Sequence, residues 1–310
     1  MWKKHNKIYF LLGIGVLLCL GCAQDGKKKR DGKLRVVTTT TMLTDLLKKI
    51  GGDAIRIDGL MGSGVDPHLY KASEGDVSKL FNADVVFYNG LHLEGKLEEV
   101  FGKMKQQNKV TLAVSDALDP SRLIGSENFA SNFDPHIWFD VENWKKVTQY
   151  VSKQLAEIDP DNAVIYRENA EDYLGRLDAL QNQVVSISNA LPNERRILVT
   201  AHDAFNYFGK AYNFEVVGLQ GISTATEAGV QDVQQLASFI VQHKVKAIFV
   251  ESSIPRRTVE ALQAAVEAKG EKVAIGGTLY SDALGSPRSD EGTYIGMFTY
   301  NVKTIVKALR

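Results

Sequence analysis

The chain has 310 residues, enough for one large domain or two of ordinary size. Hydrophobic residues make up 44% and charged residues 24%, the mix of a globular protein rather than a disordered or fibrous one. The 37 basic and 37 acidic residues cancel, which removes any general electrostatic case for nucleic-acid binding.

The N-terminus reads as an export signal rather than as part of the fold. "MWKKHNK" is a basic n-region, and "IYFLLGIGVLLCL" (8–20) is an apolar run too short to span a bilayer comfortably. Both cysteines, Cys19 and Cys22, lie at its end, which excludes a disulfide framework for the exported part. "CLGC" resembles the lipobox of bacterial lipoproteins, with Gly21 before an acylated Cys22, although Cys19 stands where an aliphatic residue is usual. A plain signal peptide that happens to contain cysteine is the alternative. Residues 1–21 are therefore expected to be a signal peptide, and 22–33 a polar tether held at the membrane by a lipid.

From residue 34, strand-like and helix-like runs alternate. "KLRVVTT", "IRIDGLM", "ADVVFYNG" and "KVTLAVS" read as strands, with helical patterns such as "TMLTDLLKKIGG" and "SEGDVSKLFN" between them. The alternation resumes after residue 194 with "RRILVTAH", "FEVVGLQG", "VKAIFVESS" and "EKVAIGGTLY". Strands alternating with helices imply parallel sheets covered on both faces. The fold class expected is α/β, with two lobes, 34–158 and 192–310, each a mostly parallel sheet flanked by helices.

Residues 159–191 read as one long helix joining the lobes. Asp159 or Asp161 can cap its start, Pro160 suits its first turn, and Pro192 marks its end. Tyr166, Ala170, Tyr173, Leu177, Leu180, Val184, Ile187 and Leu191 form a stripe at 4,3 spacing. Such a stripe also fits a self-associating coiled coil. Its tyrosines and alanine favour packing along both lobes of a monomer.

The tripeptide Asp-Pro-His occurs twice, as Asp66-Pro67-His68 and Asp134-Pro135-His136, in a chain with 6 histidines and 7 prolines. Proline stiffens a loop by fixing its own φ and extending the residue before it. A metal ligand needs such stiffness, and Asp66 or Asp134 could also hold an imidazole N–H. For a single loop histidine an ordinary structural role is the commoner one. The repeated tripeptide, placed beyond strand ends, favours ligands for His68 and His136. His202 ends a predicted strand, and Asp282 follows the last one. In open parallel sheets ligands bind beyond the carboxyl ends of the strands, so a cleft between the lobes could gather all four. From spacing alone His202 and Asp282 also fit a cap and a turn. His92, in "NGLHLEG", reads as a surface loop residue, with an accessory ligand as the alternative, and Glu227 as solvent-facing, with a place behind a ligand as the alternative. Glu251, ending "KAIFVE", fits either a cleft position or a surface acid.

The stretches "GSGVDPHLY", "ADVVFYNGLHLEG", "DPHIWFD", "VTAHDAFNYFGKAYNFEVVGLQGISTATEAG", "AIFVESSI", "GGTLYSDALG" and "GTYIGMFTYNVKTIVKAL" are spread in order along 33–310. Together they resemble the metal-binding receptors of manganese and zinc ABC importers, the TroA-like cluster A-I solute-binding lipoproteins. The resemblance implies a metal ion between the lobes, held by His68, His136, His202 and Asp282. It implies Zn²⁺ as cargo, with Mn²⁺ or Fe²⁺ as alternatives. The implied partners are an ABC permease, its separate ATPase subunit and the membrane beneath the lipid anchor. Dedicated manganese receptors tend to carry glutamate where this chain has His202. The long His-rich loop of zinc receptors corresponds here to the short "DPSRLIGSENFASN".

Two other readings meet obstacles in the residues. "GLHLEGKL" fits G-x-x-x-x-G-K, but Leu97 replaces the Ser or Thr that binds Mg²⁺, and Glu94 would repel phosphate. A secreted zinc hydrolase would keep a coordination position open for water, whereas four protein ligands fill a tetrahedral site. Neither H-E-x-x-H nor G-x-S-x-G is present. Adhesion of a surface lipoprotein to host molecules is a third reading, and no residues here carry that role.

Overall fold

The computed structural model describes residues 32–127 and 129–310. The export signal, Cys22 and nearly all of the expected tether lie outside the described residues. The first lobe runs β1 (Leu34–Thr38), α1 (Thr41–Gly51), β2 (Ile55–Gly59), α2 (Glu74–Asn82), β3 (Val85–Tyr88), α3 (Glu98–Gln106), β4 (Val110–Ala113) and α4 (Val141–Ile158). Next comes the long helix α5 (Ala163–Asn189). The second lobe runs β5 (Ile197–His202), α6 (Asn206–Tyr212), β6 (Glu215–Gln220), α7 (Val230–His243), β7 (Ala247–Glu251), α8 (Arg257–Glu267), β8 (Ala274–Leu279) and α9 (Tyr294–Leu309).

Each sheet is four-stranded and parallel, in the orders β2-β1-β3-β4 and β6-β5-β7-β8. The two lobes thus repeat one topology. Central strands such as β1, β3, β5 and β7 are almost wholly apolar and buried, as expected where helices cover both faces of a sheet. In both sheets the switch in strand order lies between the first two strands in sequence and the last two. That is where a parallel sheet opens a crevice at its carboxyl edge.

Helix α5 is about 40 Å long at 1.5 Å per residue. It packs against α1 and α4 of the first lobe and against α6 and α9 of the second. Tyr166, Ala170, Tyr173, Leu177, Leu180 and Val184 are buried, so the stripe faces the molecule's own core. The stripe drifts at its end: Ile187 is only partly buried, and Ser188 takes the inward position. A straight helix turns 3.6 residues per turn, so a 4,3 pattern slides off the contact line over several turns.

One apolar core runs through both lobes. It includes Val36 and Phe87 of the first sheet, Leu198 and Phe249 of the second, and the buried face of α5. Two smaller cores lie under helices on either side. Behind the cleft the lobes meet in an aromatic seam. Phe139 stacks on Phe205 at 4.3 Å between ring centroids, and Trp144 stacks on Tyr294 at 4.9 Å. The Tyr294 hydroxyl donates to the Trp138 carbonyl, and its backbone N–H donates to Asp45. No helix among the described residues is long and apolar enough to cross a membrane.

Gly175 lies on the exposed side of α5, and a Cβ there would meet nothing within 4 Å. An alanine restricts the unfolded chain and favours the helix. Gly175→Ala is expected to raise the free energy of unfolding by about 0.5–1 kcal/mol. Denaturant unfolding would measure it; a destabilised variant would mean that this turn of α5 is not a regular exposed helix.

Candidate metal centre

The side chains of His68, His136, His202 and Asp282 converge at the carboxyl edges of the two sheets. His202 is the last residue of β5, and Asp282 lies three residues beyond β8. His68 sits on the loop after β2, and His136 immediately precedes a short 3-10 turn, Ile137–Phe139. Each residue offers one ligand atom, and the four atoms lie within 4.8 Å of one another. His68 Nε2 is 3.3 Å from His136 Nε2. His136 Nε2 is 3.5 Å from Asp282 Oδ1, and His202 Nε2 is 3.3 Å from Asp282 Oδ2. A metal–nitrogen bond of about 2.0–2.1 Å makes the edge of a coordination tetrahedron about 3.3 Å. The two imidazole nitrogens at 3.3 Å and the contacts of 3.3 and 3.5 Å to the two Asp282 oxygens lie near that edge, and His68 Nε2 is farther off, 4.0 Å from Asp282 Oδ2.

The two Asp-Pro-His units share a local device. Proline has no N–H, so each aspartate carboxylate reaches past it to the next residue. Asp66 Oδ1 accepts from the His68 backbone N–H at 2.8 Å, and Asp134 Oδ1 accepts from that of His136 at 2.9 Å. This is the Asx turn that Asp readily makes. Asp134 Oδ1 also lies 2.8 Å from His136 Nδ1, so it sets the ring as well as the backbone. Asp66 acts on the backbone of His68; its other oxygen accepts from the Thr224 hydroxyl at 2.6 Å. Before the first unit the chain turns at Gly64, whose φ of +74° suits glycine.

His202 is held within its own lobe. Glu251, at the end of the strand beside β5, accepts from the His202 backbone N–H at 2.8 Å and lies 2.6 Å from its Nδ1. Glu251 is thus a buried brace. In both His136 and His202 the carboxylate engages Nδ1 and leaves Nε2 pointing into the cluster. A carboxylate behind the ring fixes the tautomer and makes the other nitrogen a better donor to a metal.

The Asp282 loop is tied to the opposite lobe. Trp138 Nε1 donates to the Ser281 carbonyl at 3.0 Å. The Ser63 hydroxyl donates to the Leu284 carbonyl, and the Leu284 N–H donates to Thr41 Oγ1. These three ties had no signal in the sequence, because each joins segments far apart in the chain.

Asp282 is 1% exposed, yet neither of its carboxylate oxygens receives a hydrogen bond from the protein. His202 Nε2 is likewise without a partner. A buried carboxylate in this condition is costly unless positive charge faces it. The neighbouring rings supply that charge. Burial would raise the Asp282 pKa, but the His202 and His136 cations hold it well below the usual carboxylate range. Burial would lower the His136 pKa, but Asp134 above all, then Asp282, carries it up to about 9. Glu251 and then Asp282 likewise outweigh burial at His202 and raise it well above an ordinary imidazole. His68 goes the other way. Burial, and then the two other imidazoles, push it down to about 3 against the pull of Asp282.

His92 lies outside this cluster. Its Nδ1 is 2.6 Å from Glu98, and its ring packs edge-on to Phe129, which in turn packs edge-on to His68. Glu227 is exposed. The "GLHLEGKL" loop holds no phosphate cradle. The buried Glu94 carboxylate itself accepts from the N–H groups of Asn89 and Gly90 and from the Thr39 hydroxyl.

A family model described as zinc-uptake complex component A, periplasmic, matches residues 36–308. The chain is 50% identical over 279 residues to the zinc-binding protein TroA of Treponema pallidum, covering 90% of each chain. It is 44% identical over 291 residues to the manganese-binding lipoprotein MntA of Bacillus subtilis, covering 94% of each. The solved structure of the periplasmic zinc-binding protein TroA from Treponema pallidum superimposes with a TM-score of 0.87, covering 90% of this chain and 99% of that one. The two-lobed fold, the clustered imidazoles and these matches together make the chain a member of the periplasmic zinc-uptake component A family of metal receptors.

Proposed function

We propose that this chain is the extracytoplasmic solute-binding component of an ABC-type importer, and that its cargo is a single Zn²⁺ ion held by His68, His136, His202 and Asp282. The observation that carries the reading is the buried Asp282 carboxylate, unbonded by the protein and faced by three imidazoles. Three nitrogens, one carboxylate and ligand spacings near a tetrahedral edge suit Zn²⁺. Mn²⁺ prefers more oxygen donors, and one manganese-binding relative keeps it, with Fe²⁺, as the alternative cargo.

Four protein ligands leave no vertex of a tetrahedron for a reacting water, so the site suits capture and release rather than hydrolysis. Family membership points the same way: the chain is a binding protein, not an enzyme. Energy for uptake then comes from the ATPase subunit of the importer, and the metal passes from the cleft to its permease. The rest of the assignment extends the same reading. The mature chain is a monomer, because the α5 stripe is consumed by its own core. It is tethered to the membrane through an acylated Cys22, in the manner of the relatives named as lipoproteins.

Four outcomes are expected. Purified protein stripped of metal should take up one Zn²⁺ per chain. His136→Ala should weaken that binding at least 100-fold while the far-UV circular dichroism stays the same; parental affinity in the variant would refute the ligand set.

Binding should also weaken with acid. A metal needs neutral imidazoles, whereas His136, raised to about 9 without metal, is protonated below that pH. Loading near pH 7 therefore expels at least one proton, and affinity falls about tenfold or more per unit of acidification. Calorimetry in buffers of different ionisation enthalpy would reveal that proton, and a buffer-independent heat would exclude it.

Cys22→Ser should release the protein from the membrane fraction or leave an uncleaved precursor. Unchanged fractionation with an unchanged processed mass would mean ordinary signal cleavage.

A further inference from the structure

The four proposed ligands are divided between the lobes, two and two. A tetrahedral site tolerates errors of only about 0.5 Å, so something must set the spacing across the cleft. The aromatic seam lies behind the cleft, at the back of the ligand loops. Glu251 braces His202 only within the second lobe.

Each Asp-Pro-His aspartate engages its histidine with one oxygen and the opposite lobe with the other. Asp66 Oδ1 holds the His68 N–H, and Asp66 Oδ2 accepts from the Thr224 hydroxyl at 2.6 Å. Asp134 Oδ1 holds the N–H and ring of His136, and Asp134 Oδ2 accepts from Asn206 Nδ2 at 3.1 Å. Tyr207, the next residue of α6, donates to the Asp134 carbonyl at 3.0 Å. Thr224 belongs to the loop after β6. It is buried there, while Gly221 and residues 225–227 are exposed. Asn206 begins α6, four residues after His202. Two unrelated segments of the second lobe thus make the same contact to two copies of one tripeptide in the first.

We propose that Thr224 and Asn206 are positioning residues of the metal site. Through the second oxygens of Asp66 and Asp134 they set His68 and His136 at coordination distance from His202 and Asp282. They touch no metal themselves. Because all four ligand residues are still present without them, their loss changes the geometry and tightness of the site rather than abolishing it. The inference rests on the zinc-site reading above.

The test uses the mature chain, with Zn²⁺ read by chelator competition and Co²⁺ by its visible absorption. Thr224→Val removes the hydroxyl and keeps the shape, Thr224→Ser keeps the hydroxyl, and Asn206→Leu removes the amide donor. Thr224→Val and Asn206→Leu should each weaken Zn²⁺ about 10-fold or more, the range seen when partners behind metal ligands are removed. Both should also alter the intensity of the Co²⁺ d–d bands, which report coordination geometry. Thr224→Ser should restore both readouts. If both donor-free variants bind Zn²⁺ and colour Co²⁺ like the parent while His136→Ala does not bind, the positioning role is overturned and the site stands. If Thr224→Ser loses as much as Thr224→Val, the hydroxyl is not the operative group and the proposal likewise fails. If the parent and His136→Ala are alike, the zinc-site reading itself falls.

Discussion

The structure is organised around a buried negative charge. Asp282 is buried between the two lobes with both oxygens lacking a protein hydrogen bond. Taking an ionised carboxylate out of water costs several kcal/mol even after relaxation, so the surrounding protein must answer it with positive charge. His136 and His202, each backed by its own carboxylate, Asp134 or Glu251, have their pKa values raised and so favour the imidazolium form. Protons and the proposed divalent cation would thus compete for one electrostatic niche. The low pKa of His68 fits this arrangement: a third proton would overfill it.

The scaffold explains why such a niche is affordable here. Parallel sheets place loops from several strands at one edge. Two sheets of the same topology put two such edges face to face. His202 ends a strand, and His68 and Asp282 lie on loops that follow one, whereas His136 lies well past β4 and is set by its own Asp-Pro-His turn. Glu251 reaches His202 because β5 and β7 are neighbours in the sheet although 49 residues separate the pair in sequence.

Much of this was legible in the sequence. All eight strands fall where alternating apolar runs place them, since buried parallel strands leave a strong compositional mark. The repeated Asp-Pro-His drew attention to His68 and His136 because its spacing is local and its chemistry unusual. His202 and Asp282 carried weaker local signals and needed the family resemblance. Glu251 was evenly balanced between cleft and surface for the same reason. The contacts of Thr224, Asn206 and Trp138 left no trace. They join residues 158, 72 and 143 positions apart, and no periodicity or motif encodes such a meeting. The drift from Ile187 to Ser188 was missed for a geometric reason, because a 4,3 pattern is only an approximation to a helix of 3.6 residues per turn.

The aromatic seam has a consequence for how the molecule folds and fails. Phe139, Trp144, Phe205 and Tyr294 belong to one core that includes strands of both sheets and the inner face of α5. Each lobe has a smaller core of its own, but the largest one is closed only where the two meet. A first lobe made alone would present the rings of Phe139 and Trp144 to water, and a second lobe alone those of Phe205 and Tyr294. Such surfaces are the kind that associate indiscriminately. The two lobes therefore share a core, and disruption of either exposes part of the other's apolar interior.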